Sequence, residues 1–249
     1  MTIMKGVRIV SAPCCGAHYA VPRYLTMNFM ALEYWTDGWR ECSLMPNGAG
    51  LRRCTCGQFV LMKELVEIGS AEASDLPRID KVPDELLPEC IEQTDREDLE
   101  VAARLEYWRC LNHPYRERYR LHRDAEEDST KAAWEAANPD RRTWLDKFRG
   151  LKAPTYRRPL GSPFTYPAFE VTNEQLQNMK RLSEILLGWV KASRRGYILE
   201  LSELYREQGR FAEAEQVIVT LNNNEVGITS RLISDLVNEK QPAPMRYMM

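Results

Sequence analysis

Apolar residues recur at helical spacing through the second half of the chain. Leu176, Met179, Leu182, Ile185 and Leu186 share one face of a helix, with Thr172 or Asn173 before it as N-cap. Helical patterns follow over Tyr197–Gln208, which Gly209 stops, and over Phe211–Leu221 and Thr229–Lys240. An earlier helix carries Leu99, Ala102, Ala103, Leu105, Trp108 and Leu111 behind an N-cap at Asp95. Asn112-His113-Pro114 interrupts it. Charged helices continue over Tyr115–Glu127 and Ser129–Ala137, and Asn138-Pro139-Asp140 caps another that carries Trp144, Leu145 and Phe148.

The first part of the chain reads differently. Short β-rich segments lead into and out of two glycine-containing turns: Val7–Val10 and His18–Val21 around the first, Leu51–Arg53 and Gln58–Met62 around the second. Between them runs a loop-rich insert, Tyr34 to Gly50, with turn signals at Asp37-Gly38 and Asn47-Gly48. Met62–Gly69 predicts a short helix closed by Gly69.

The expected fold is mainly α with a small N-terminal β module. Residues 1–69 form a zinc-ribbon-like module of two degenerate knuckles, packed on a helical domain with one repeat-like hairpin. Residues 70–94 are an acidic, proline-containing connector. Residues 95–240 are the helical domain, with an extended linker at 150–171 marked by Pro154, Pro159, Pro163 and Pro167. Residues 241–249, with two prolines, are expected to be a flexible tail.

Composition narrows the function classes. The 249 residues are 44% hydrophobic and 28% charged, enough to bury a core. A net charge of −2 gives no overall attraction to nucleic acid or an anionic membrane. No apolar run approaches the roughly 20 residues that span a bilayer. The first residues lack the apolar core and cleavage site of a signal peptide. Seven cysteines are an odd and sparse stock for a disulfide scaffold, so a reducing cytoplasm is expected. Cys42, Cys90 and Cys110 then read as small buried apolar residues.

The candidate chemistry lies in the two turns, Cys14-Cys15-Gly16-Ala17-His18 and Cys54-Thr55-Cys56-Gly57. A ribbon turn reads C-x-x-C-G. Each turn keeps the last Cys and its Gly, while Ala12 and Arg53 stand where the first Cys belongs. Cys14, Cys15, Cys54 and Cys56, with His18 in reserve, could supply soft ligands to zinc. The alternative is a metal-free knuckle packed by Tyr19, Phe59 and Trp35, and both stay open.

Leu201 to Ile218 looks like one tetratricopeptide repeat, with Tyr205, Gly209 at the turn, Phe211, and small Ala214 where two helices touch. Only one copy is convincing, so an antiparallel helix pair within an ordinary helical domain reads as well as a peptide-binding groove.

Taken together, Tyr34-Trp35-Thr36-Asp37-Gly38, Leu44-Met45-Pro46, Cys54-Thr55-Cys56-Gly57 with Phe59, Tyr107-Trp108, Asn112-His113-Pro114-Tyr115-Arg116, and Glu203 to Phe211 with Glu213-Ala214 carry a resemblance. The chain resembles an uncharacterised bacterial family that pairs an N-terminal zinc ribbon with a C-terminal tetratricopeptide-like helical region. The resemblance implies a cytoplasmic protein rather than an enzyme class. It implies metal ligands at positions 12, 15, 53 and 56, of which Cys15 and Cys56 match.

No phosphate loop, nucleophile elbow or His-Glu-x-x-His helix is present. His18, His113 and His122 are the histidines, and His113 reads as a structural cap. The expected role is protein–protein interaction, as an adaptor or as an inhibitor or immunity-type binder of a bacterial partner, with no membrane partner. Tyr34, Trp35 and Trp39 are the candidate anchors, although a core role explains them too. The alternative is a nucleic-acid binder using the ribbon, the basic run Arg116 to Arg123 and Tyr156-Arg157-Arg158. A zinc-dependent enzyme is third.

Overall fold

The computed structural model describes residues 3–26, 31–42, 50–157, 165–222 and 225–247. Leu44-Met45-Pro46, Asn47-Gly48, Pro159 and Pro163 lie outside these residues. The chain divides into two compact units, Met1–Asn112 together with Glu170–Met249, and His113–Phe169.

In chain order the elements are β1 (Ile3–Ser11), β2 (His18–Thr26), β3 (Glu33–Trp35), β4 (Arg40–Glu41), β5 (Leu51–Arg53), β6 (Phe59–Leu61), β7 (Val66–Ala71) and β8 (Asp80–Lys81). The helices α1 (Leu87–Gln93), α2 (Glu97–Leu111), α3 (His113–Ala137), α4 (Trp144–Phe148), α5 (Asn173–Lys191), α6 (Ile198–Glu207), α7 (Phe211–Ile218) and α8 (Ile228–Asn238) follow, and β9 (Arg246–Tyr247) closes the set. The protein is mainly helical with small antiparallel sheets at its N-terminus, as expected. The strands form three sheets, ordered β2-β1-β7, β4-β3-β9 and β6-β5-β8.

In the larger unit, the helical part forms as its pattern dictates. Thr172 caps α5 by accepting from the Gln175 N–H, while the Gln175 side chain accepts from the Thr172 N–H. Met179, Leu182 and Leu186 are fully buried, together with Leu201 and Leu204 of α6 and Ile233 of α8. Each such side chain contributes roughly 1.5–3 kcal/mol on leaving water. The α6–α7 hairpin turns at Gly209, whose φ of +74° lies in the left-handed region. Ala214 is fully buried, and the Ser202 hydroxyl donates to its carbonyl at 2.9 Å.

A buried polar network ties distant parts of this unit together. Trp108 Nε1–H donates to Glu207 Oε2 at 2.7 Å. The Asn112 amide donates to Glu207 and to Asp37 Oδ2, and accepts from Gln175. Arg206 forks onto Glu203, with bonds of 2.8 and 2.5 Å, and both side chains are fully enclosed.

Five local expectations are corrected. Arg96, not Asp95, stands at the N-cap of α2, and Thr143, not Asn138-Pro139-Asp140, caps α4. The segment after Met62 is not a helix closed by Gly69: a single 3-10 turn precedes β7, which pairs with β1. The interruption between two charged helices is absent, because α3 runs unbroken from His113 to Ala137. The C-terminal segment does not fray within the described residues. Arg206 donates to the Gln241 and Ala243 carbonyls, Thr36 and Met245 bond to each other twice, and β9 adds to β3. These partners are far away in sequence, so no local pattern announces them.

In the smaller unit, Tyr115 and Tyr119 are buried, with Phe169 edge-on to Tyr115 at 5.0 Å. Tyr156 packs on Trp134 at 5.8 Å. His113 sits in the first turn of α3 with Nε2 3.2 Å from Glu117 Oε1, and His122 bonds Thr165.

Candidate metal centre

The two cysteine turns are alike in build but differ by one residue. In the first, the Ala12 N–H donates to the Ala17 carbonyl at 2.8 Å and the Gly16 N–H to the Ala12 carbonyl at 2.9 Å. In the second, the Cys54 N–H donates to the Gln58 carbonyl at 2.8 Å and the Gly57 N–H to the Cys54 carbonyl at 2.9 Å. Gly16 and Gly57 both take positive φ, +72° and +90°, which lets each chain reverse without a Cβ clash. The strands on either side pair Ser11 with His18 and Arg53 with Phe59.

Cys54 therefore opens its turn where Ala12 opens the first, and both are buried. Arg53 is the last strand residue and not a vacant ligand position, which corrects the count made back from Gly57. The second turn is simply shorter. In the first turn Ala12 keeps the opening place, and Cys14 supplies the sulfur beside Cys15.

The four thiols converge. Cys15 Sγ lies 3.4 Å from Cys54 Sγ, Cys14 Sγ 3.5 Å from Cys56 Sγ, and Cys14 Sγ 3.9 Å from Cys15 Sγ. All four sulfurs fall within 4.8 Å of one another and could hold a metal ion. All are free thiols. His18 is not a member of this group; it opens β2. Cys42 and Cys110 are half-buried elsewhere, and Cys90 is fully buried in an apolar cluster with Leu51, Leu61 and Leu99.

The sequence assigns Tyr19 a packing role alone, and the structure also brings its hydroxyl into the cysteine site. Its ring is buried, and its hydroxyl lies 3.1 Å from Cys54 Sγ and 2.9 Å from Thr55 Oγ1. The Thr55 N–H donates to the same hydroxyl at 2.8 Å. The signal available in advance was its alternation with Val21 on the inward face of β2. Val10, Ala12, Val21 and Val60 complete the apolar floor.

The electrostatics favour a thiolate at Cys54 and resist one at Cys14 and Cys15. Burial opposes ionisation of Cys54, but hydrogen bonds from the Cys56 N–H, the Tyr19 hydroxyl and the neighbouring thiols outweigh it and bring the group to about 6. Cys14 moves strongly the other way, first by burial and then by its bonds to Cys54 and Cys56. Several thiolates in so small a space repel one another, and a dication removes that conflict.

Searches of protein-family models, curated proteins and solved structures returned no match to this chain.

The aromatic candidates occupy graded positions. Trp35 is fully enclosed, and its Nε1–H donates to buried Glu33 at 3.1 Å. Tyr34 is half-buried, its ring 5.7 Å from that of Tyr247. Trp39 is half-buried, and its backbone N–H donates to Asp37 Oδ1 at 2.9 Å. In the basic run, Arg116 is buried. Among the described residues no helix is long and apolar enough to cross a membrane.

Proposed function

We propose that this protein is a binding protein rather than an enzyme, an adaptor or inhibitor of a partner protein. Its N-terminal module is held in shape by one structural zinc ion on Cys14, Cys15, Cys54 and Cys56. The observation that carries the reading is the convergence of the four sulfurs. A zinc–sulfur bond of about 2.3 Å sets neighbouring tetrahedral sulfurs about 3.8 Å apart. The separations of 3.4, 3.5 and 3.9 Å bracket that spacing.

Four protein sulfurs complete a tetrahedron and leave no position for substrate or activated water, the mark of a structural site. The α6–α7 hairpin and the ribbon-like knuckles are both shapes used in binding. The Tyr19 hydroxyl on Cys54 supplies the outer-shell hydrogen bond that orients a ligand sulfur.

The test compares the native protein with Cys54→Ser. The native protein, purified without added metal, carries about one zinc per chain and captures a defined partner from its host. Cys54→Ser loses the zinc and, with it, that partner. A native protein that hydrolyses or transfers a group with an exchangeable water on its zinc would replace the binding reading with an enzymatic one.

A further inference from the structure

Residues 140–152 of the smaller unit combine the most exposed aromatic side chain among the exposed large hydrophobics with a local excess of positive charge. Phe148 is 86% exposed and Trp144 74%, and Leu145 and Leu151 are also exposed. The same stretch holds five basic residues against two acidic ones, in a chain whose overall charge is −2.

Hydrogen bonds close this segment at both ends, although α4 is short. Thr143 and Asp146 cap its start reciprocally: the Thr143 N–H donates to Asp146 Oδ2 at 2.9 Å, and Thr143 Oγ1 accepts from the Asp146 N–H. At its end Gly150 has φ +73°, the Gly150 N–H donates to the Lys147 carbonyl, and the Leu151 N–H donates to the Asp146 carbonyl at 3.0 Å. That pair of bonds is a Schellman motif. Arg142 closes the loop by donating to the Leu151 carbonyl and, twice at 2.8 Å, to Asp140. Both acidic residues are thus engaged within the segment. Arg141, Lys147, Arg149 and Lys152 are exposed and have no ion-pair partner among the described residues.

We propose that this capped turn is a membrane-surface anchor: Trp144, Leu145, Phe148 and Leu151 enter the interface of a bilayer while the surrounding Arg and Lys side chains meet anionic lipid headgroups. Trp, Phe and Leu beside Lys and Arg are the side chains that interfacial segments use. Each basic residue near an anionic surface adds attraction that salt screens. The two leucines offer no ring for base stacking, which counts against single-stranded nucleic acid. The anchor is independent of the cysteine site, and it replaces the expectation of no membrane partner, which rested on the overall charge of −2 and not on this local excess of basic residues.

Co-sedimentation of the full chain with lipid vesicles at low salt tests it. Vesicles of phosphatidylcholine with roughly 30% phosphatidylglycerol retain the protein, pure phosphatidylcholine does not, and raised salt releases it. Trp144→Ser/Phe148→Ser and Lys147→Glu/Arg149→Glu each bind roughly tenfold or more weakly, with unchanged circular dichroism and melting midpoint. Leu121→Ser, which removes a side chain 71% exposed on α3, binds as the native protein does. The proposal is overturned by failure of the native protein to bind the anionic vesicles, or by native-like binding of both double variants. Retention on poly(dT) that the same variants lose, without vesicle binding, assigns the segment to nucleic acid instead.

Discussion

Cys15 Sγ and Cys54 Sγ lie 3.4 Å apart although 39 positions separate them in the chain. Neither residue reaches the other through a local turn. The two knuckles are brought face to face by the shared floor of Val10, Val21 and Val60, so the sulfur cluster is a consequence of packing as much as of cysteine placement. The Tyr19 hydroxyl then fixes Cys54 from behind.

Tyr19→Phe removes that hydroxyl and keeps the ring. Outer-shell partners of metal ligands typically alter affinity about 10–100-fold. Zinc affinity, measured by competition with a chromogenic chelator, falls by that order, whereas Cys42→Ala leaves it unchanged. Equal affinity in Tyr19→Phe would remove Tyr19 from the site.

Glu207 predicts a pH dependence. Burial first, then the nearby Glu203 and Asp37 carboxyls, push its carboxyl well above the usual 4.5. Its proton is therefore held more tightly in the folded chain than in the unfolded one. The favourable contribution is full below about 4.5 and is lost progressively as pH rises toward the folded value. Glu207→Gln keeps a neutral side chain and flattens this part of the stability curve above pH 4.5. Urea midpoints across pH check it; an unaltered slope would show that Glu207 is not the group responsible. Trp108→Phe, which takes the donor from Glu207, costs about 1–3 kcal/mol.

Ala214 tests the hairpin. It is fully buried against α6, so Ala214→Trp overpacks the contact and costs about 1–3 kcal/mol or more. An unchanged denaturation midpoint would contradict the packing of α6 on α7.

Much of this architecture was legible in the sequence. The face of α5, the cap at Thr172, the stop at Gly209 and the small residue at Ala214 are local features, and local physics decides them. β7 was not, because Val66-Glu67-Ile68 suits either a helix or a strand, and only pairing with β1 decides. The C-terminal segment misled for the same reason: its partners Thr36 and Arg206 are distant in sequence. In the cysteine site the four ligand candidates were readable, but the one-residue shortening of the second turn was not. It shows only in the hydrogen bonds of Cys54 and Gly57.

The insert aromatics separate fold from binding. Trp35 is fully enclosed, so Trp35→Ala costs about 3–5 kcal/mol and unfolds its surroundings. Trp39 is only half-buried. Trp39→Ala, with its melting midpoint kept and its partner capture lost by about 2 kcal/mol or more, makes it a binding anchor. Loss of the fold instead assigns it to the core.

X-ray absorption at the zinc edge of the native protein, purified under reducing conditions without added metal, tests the central claim most directly. A structural site on Cys14, Cys15, Cys54 and Cys56 predicts about one zinc per chain and a first shell of four sulfurs at about 2.3 Å. A metal-free protein, or a first shell containing nitrogen or oxygen, contradicts it.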